Sequence, residues 1–233
     1  MLADTIMANL YQLQKGQTSA ELYNIYDGEP VQIKFNPVLS PADNAQAYYK
    51  KYNKYKRAQG ELRQQIQATE ESLEYLATLD ASLLTATTKN EIEEIRQEMV
   101  AAGLIKEFGK KKKTALQKSQ PLHIKLRQGV DVYIGKNNKQ NDYVTFTLGG
   151  PRDLWFHTKD IPGSHLIMKA AAATDEDIQL AIALAAYFSK GRNGSNVPVD
   201  CVERRYVKKP SGAKPGFVIF TNQKTYYTTP DEQ

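Results

Sequence analysis

Cysteine, tryptophan and histidine are nearly absent from this 233-residue chain: one Cys, one Trp and three His. A lone cysteine, Cys201, excludes an internal disulfide and fits a reducing compartment. No apolar run approaches the ~20 residues that span a bilayer. The opening "MLADTIMANLYQLQKG" lacks a basic segment followed by a long apolar one, so no signal peptide is read. The expected location is cytoplasmic; a cell-surface location would need export without a signal peptide. Hydrophobic residues make up 41%, enough for a core, and the length bounds the chain to one large or two small domains.

What is present is a charge split. Residues 1–105 carry 10 Lys+Arg against 14 Asp+Glu, while residues 106–233 carry 21 against 12. The second half is therefore strongly basic, which points to nucleic acid.

The organisation changes along the chain as well. Ile6, Leu10 and Leu13 space a short amphipathic helix that Gly16 stops. Tyr/Ile/Val-rich runs on both sides of Asp27-Gly28 predict a β-hairpin near 20–35. Ser40 and Pro41 then open a long helix near 41–86. Along it Tyr48, Tyr52, Tyr55, Gln59, Leu62, Ile66, Thr69, Leu73 and Leu76 alternate spacings of four and three, a heptad seam. A seam of that length needs a partner, so self-association through Tyr48, Tyr52, Tyr55, Leu62, Ile66, Leu73 and Leu76 is one expectation. A shorter helix with Ile92, Ile95 and Met99 on one face ends at Gly103. Residues 106–120 read as a basic linker. From Leu122 onward alternating strands surround one clear helix, "TDEDIQLAIALAAYFSK", capped by Thr174. "NNKQNDYVTFTL" stays ambiguous between strand and helix. The expected class is α+β: a long-helix coiled-coil region with a small hairpin (1–105), the linker, and a compact α+β domain (121–233).

Two stretches carry candidate chemistry. In "DLWFHTKDIPGSHLIMK" a type II turn at Pro162-Gly163 would bring His157 towards His165. Alternation puts Leu154 and Phe156 on one face and Trp155 and His157 on the other. On an open face, Trp155, His157 and His165, with Arg152, Lys159 and Lys169 nearby, suit base stacking and phosphate contact. The same rings also suit a core, with the imidazoles bonded to the turn. Metal binding through His157, Asp160 and His165 matches no strong ligand pattern. Ser164 beside His165 has no nucleophile elbow around it. In "ERRYVKKPSGAKPG", Arg204, Arg205, Lys208, Lys209 and Lys214 interleave with Tyr206, a composition suited to phosphate. The glycines of "FSKGRNGSNVP" follow their helix rather than precede it, which excludes a P-loop. No catalytic residue, metal or cofactor is expected.

These stretches resemble a known family. "DLWFHTKDIPGSHLIMK" and "VKKPSGAKPGFVIF" are similar to the C-terminal RNA-binding module of NFACT proteins. "ANLYQLQKG" and "NPVLSPADNAQAYYKKYNKYKR" resemble the coiled-coil and middle region of the same family. The likeness covers nearly the whole chain, and its motif falls on Asp153, Trp155, His157, Asp160, Gly163, Ser164 and His165. It implies a C-terminal half, without the family's large N-terminal module and with the other arm of the coiled coil missing. It also implies a function: a ribosome quality-control factor that binds the large subunit (rRNA) with a stalled nascent chain. Such factors recruit tRNA charged with alanine to extend a C-terminal tail. Some relatives are described as anchorless adhesins for host fibronectin, which the resemblance offers as the alternative.

Overall fold

The computed structural model describes residues 2–107, 118–126, 129–169, 171 and 173–230. Most of the expected basic linker, residues 108–117, lies outside the described residues. The chain divides into two compact units, Met1–Glu70 and Glu71–Gln233. The division falls inside the long helix rather than in the linker region.

In the first unit, helix α1 (Leu2–Ala8) precedes a short 3-10 turn and a two-stranded antiparallel sheet. Its strands are β1 (Ser19–Tyr23) and β2 (Pro30–Lys34), with Tyr23 opposite Pro30. The connecting loop turns at Gly28, whose φ of 75° is the left-handed conformation that an Asp-Gly pair predicts. Ile6, Leu13, Leu22, Ile33 and Ala45 bury together, so alternate residues of each strand meet the apolar stripe of α1. Tyr26 and Tyr49 both donate to the Asp4 carboxylate, at 2.8 and 2.5 Å. Those two phenols hold the Asp4 carboxyl down at about 2.

Helix α2 (Pro41–Thr85) starts where Ser40 predicts: the Ser40 hydroxyl accepts from Asp43 N at 3.1 Å. Most of its seam is open, with Tyr48 the exception: it packs against the first core and donates to Lys34 O at 2.7 Å. Tyr55, Leu62, Ile66 and Leu73 are 60%, 56%, 50% and 61% exposed.

In the second unit the end of α2 turns into α3 (Lys89–Ala101), which Thr88 and Glu91 start with a reciprocal capping box. Tyr75, Leu79 and Ile95 pack together, with Met99 against them, while Ile92 stays 49% exposed. A six-stranded antiparallel sheet follows, in the order β10-β7-β5-β6-β4-β3. The strands are β3 (Leu122–Lys125), β4 (Asp131–Ile134), β5 (Leu154–Thr158), β6 (Leu166–Met168), β7 (Val197–Glu203) and β10 (Lys224–Thr228). A separate ribbon pairs β8 (Val207–Lys208) with β9 (Ile219–Phe220).

Both faces of the large sheet are covered. Helix α5 (Asp175–Tyr187), capped by Thr174 as expected, lays Ala181, Ile182, Ala185 and Ala186 on Val132, Phe156, Leu166 and Val199. On the other face Val144, Trp155, Ile167, Val202 and Val207 form a second core. The cover there is the segment whose sequence was ambiguous. It forms helix α4 (Asn138–Tyr143) running straight into a π-helical turn, Val144–Leu148. The asparagines decide it: Asn137 caps the start by accepting from Gln140 N at 2.9 Å.

Candidate nucleic-acid interface and adjoining cleft

The covered second face overturns the expectation of an open Trp–His surface. Trp155 is 0% exposed and His165 is 2% exposed. The strand alternation itself is as read, with Phe156 and Trp155 in opposite cores. What sequence alone did not place was the 138–148 segment and the β8–β9 ribbon on top of Trp155. The Trp155 indole lies 4.9 Å from the Phe220 ring and 5.7 Å from His157, stacked on the latter. The Trp155 Nε1 donates to Thr145 Oγ1 at 3.2 Å, and the same hydroxyl meets His165 Nδ1 at 2.8 Å. An indole with no accessible surface cannot stack on a base; Trp155 and His165 belong to the core and line the buried side of the adjoining cleft.

The turn differs too. Gly163 has no positive φ, as a type II turn would require. The left-handed residue is Asp160, φ 55°. Gly163 is small for another reason: a Cβ there would lie 2.8 Å from Ser189 Cβ and 2.9 Å from Thr158 Oγ1. Ser164 is buried beside it, its N–H bonded to Phe188 O at 2.9 Å.

Three of the candidate cations are structural. Lys169 donates to Leu148 O at 2.6 Å and to Asp153 at 2.7 Å, and Asp153 in turn accepts from Gly150 N at 2.7 Å. Arg204 donates to Thr145 O at 2.8 Å and covers the Phe146 ring. Lys209 is clamped between Asp142, at 2.5 Å, and Lys214 O. A cation satisfied in this way tightens the fold around the π turn and has little left for a phosphate.

The remainder separate into two places. Arg204 N bonds Asp153 O, and Arg205 N bonds Pro151 O at 3.1 Å, so the Arg152 turn adjoins the Arg205 turn. Arg152, Arg205 and Lys208 are exposed there, with Tyr206 between them and stacked under the Arg205 guanidinium at 5.0 Å. Among the described residues Arg205 pairs with half-buried Glu203, at 2.8 Å, a contact that water and salt weaken. Among the described residues neither Arg152 nor Lys208 carries an ion pair. These side chains leave a basic surface open to solvent.

His157, Lys159 and Lys214 belong instead to a cleft of about 840 Å³ in the Glu71–Gln233 unit. Its walls are the last turns of α2, the 157–163 loop and the 210–220 segment. Sequence reading missed three of its parts. Tyr75 donates to Glu98 at 2.9 Å, and Asn138 donates to the same oxygen at 2.9 Å, which fixes two wall residues. Asp200, opposite His157 in the β5–β7 ladder, lies at the base of the cleft and is 3% exposed. Only the strand register could have found it.

Burial pushes the Cys201 thiol up to about 12, so it stays protonated. Burial also holds His165 well below its ordinary 6.5, with His157 and Lys209 adding repulsion. His157 is lowered by burial as well. Among the described residues no three His, Cys, Asp or Glu side chains are grouped to hold a metal. The depressed imidazoles carry a stability sign. Below 6.5 the unfolded state takes protons that the folded state refuses, so stability falls with pH. Melting of this unit is expected to drop steadily from about pH 7.5 to 5.5, and less steeply in His165→Gln. Glu91 does not confound that window. Burial alone would raise its carboxyl, but Lys136, Thr87 and Thr88 outweigh this and hold it at about 2, so its loss begins only below 4.5. An equally steep fall in the variant would assign the effect to another group.

The arrangement is a two-faced α+β core with a basic turn pair at its surface, and a long helix comes before it in sequence. Residues 122–215 match the NFACT protein RNA binding domain, and residues 1–119 match the NFACT N-terminal and middle domains. The chain belongs to the NFACT family. It is 40% identical over 239 residues to the Rqc2 homolog RqcH of Bacillus subtilis, covering 99% of this chain and 41% of that protein. The corresponding protein of Streptococcus suis is 39% identical, covering 96% and 40%. The chain therefore spans about two fifths of the length of the curated relatives it matches. Among solved structures, it resembles the C-terminal part of the fibronectin/fibrinogen-binding protein from Streptococcus suis. That match has a TM-score of 0.74 at 40% identity and covers 82% of this chain and 77% of the other.

Proposed function

We propose that this chain is the RNA-binding part of a ribosome quality-control factor and acts in the cytoplasm by binding, not catalysis. In this reading it helps hold the large ribosomal subunit through rRNA when a nascent chain has stalled. Together with the rest of such a factor it recruits alanine-charged tRNA for C-terminal tailing. The observation that carries the reading is the exposed Arg152–Arg205–Lys208 surface inside a domain that matches an RNA-binding family. The test is binding of the intact chain to large-subunit rRNA fragments across a salt series. Affinity falling by several powers of ten from low to moderate salt supports the reading. A salt-independent affinity would end it.

Fibronectin binding is the second reading, favoured by the likeness to the streptococcal fibronectin/fibrinogen-binding protein. A basic surface sticks to several partners, so the two readings are compatible. Capture of fibronectin by immobilised chain at physiological salt tests it, and no capture disposes of it.

The seam on α2 supports a further property, self-association. Leu62 and Ile66 are 56% and 50% exposed in a helix of 45 residues, an apolar stripe that a second helix would cover. Sedimentation is expected to show a concentration-dependent dimer that Leu62→Lys with Ile66→Lys abolishes. A monomer at high micromolar concentration would refute this.

A further inference from the structure

We propose that the cleft bounded by the end of α2, the 157–163 loop and the 210–220 segment docks a polypeptide segment bearing an arginine or lysine side chain. This site is separate from the RNA surface and goes beyond the RNA-binding reading.

The first argument is charge. Residues 106–233 as a whole carry 21 basic and 12 acidic side chains. The cleft reverses that balance: Glu71, Glu74, Asp160 and Asp200 line it, against Lys159 and Lys214. Its two imidazoles, His157 and His165, are held neutral at ordinary pH by burial. A phosphate strand entering here meets more carboxylate than ammonium, whereas a cation is drawn in.

The second argument is shape and surface. At about 840 Å³ the cleft lies within the roughly 300–1,000 Å³ range of ligand pockets. Its rim offers apolar surface left open among the described residues: Leu73 is 61% exposed and Phe217 is 43% exposed. Arg and Lys present just this combination, a hydrocarbon stem and a charged head. The stem would lie along Phe217 and Ile161, and the head would reach Asp160 or the buried Asp200. Asp200 accepts the Thr225 hydroxyl at 2.6 Å, which orients its carboxylate.

A third observation concerns one of the two opposing lysines. The Lys214 ammonium sits 4.4 Å above the Tyr75 ring on the cleft wall, a contact that engages its charge and leaves the carboxylates to an incoming cation.

The experiment is calorimetric titration of the intact chain with two blocked nonapeptides, arginine or glutamine alternating with leucine, and with nona-uridylate. The arginine peptide is expected to bind with 1:1 stoichiometry, about tenfold tighter than the glutamine peptide. Glu74→Gln with Asp160→Asn should weaken it about tenfold. Both side chains are exposed, and asparagine tolerates the left-handed backbone at position 160, so the fold should survive. Lys159→Gln should strengthen the peptide a few-fold by removing a like charge. Arg152→Gln with Arg205→Gln should weaken nona-uridylate and leave the peptide untouched, which separates failure of this site from failure of the RNA reading. No arginine-peptide binding, binding unchanged by the double carboxylate substitution, or displacement of the peptide by nona-uridylate would each overturn the proposal.

Discussion

Trp155→Ala is expected to destabilise the Glu71–Gln233 unit by about 3–5 kcal/mol, the cost of emptying a fully buried indole site. The ring is 0% exposed and packs against Phe220, His157 and His165. Its removal also leaves the Thr145 hydroxyl, the junction between Trp155 and His165, without one of its donors. Trp155→Phe keeps most of the volume and loses only the N–H bond, so about 1–2 kcal/mol is expected. Urea denaturation followed by circular dichroism measures both, because fluorescence disappears with the only tryptophan. The alternative is a base-stacking Trp155. It would give unchanged unfolding midpoints together with collapsed RNA affinity, and that pattern would place the indole at the RNA surface.

The difference between the two outcomes rests on a segment that the residues left ambiguous. Local signals were sufficient where one residue type decides one feature. Ser40 and Pro41 open α2, and Thr174 caps α5. The alternation of Leu154, Trp155 and Phe156 sorts them correctly onto opposite faces of β5. Legibility ended where a face is covered by a distant element. Val144–Leu148 has the β-branched and aromatic composition of a strand, yet Asn137 caps a helix just before it and the turn closes over Trp155. No local pattern announces that cover. The cations failed for the same reason. Lys209 looks like any other lysine of its loop, but its carboxylate partner, Asp142, stands 67 positions earlier. Arg204 and Arg205 are neighbours in sequence, and the 3-10 turn at 204–206 sends one guanidinium to the Thr145 carbonyl and leaves the other at the surface.

That distinction sets the sharpest test of RNA binding. Arg152→Gln, Arg205→Gln and Lys208→Gln together are expected to weaken binding to an rRNA fragment by about a hundredfold at moderate salt. The slope of log affinity against log salt should shrink by about 2–3 units, near one per lost phosphate contact. All three side chains are exposed, and among the described residues their one ion pair is that of Arg205 with Glu203. The unfolding midpoint should therefore hardly move. Substituting Arg204 and Lys209 instead confounds the experiment. Arg204→Gln strips the Thr145 carbonyl of its donor, and Lys209→Gln leaves Asp142 without its cation. Those two variants should lose stability first and RNA affinity only as a consequence of partial unfolding. If the exposed triple leaves both affinity and salt slope unchanged, the Arg152–Arg205 turns are not the contact surface. The phosphate contacts would then have to come from the basic run at 106–120, where residues 110–113 are four consecutive lysines.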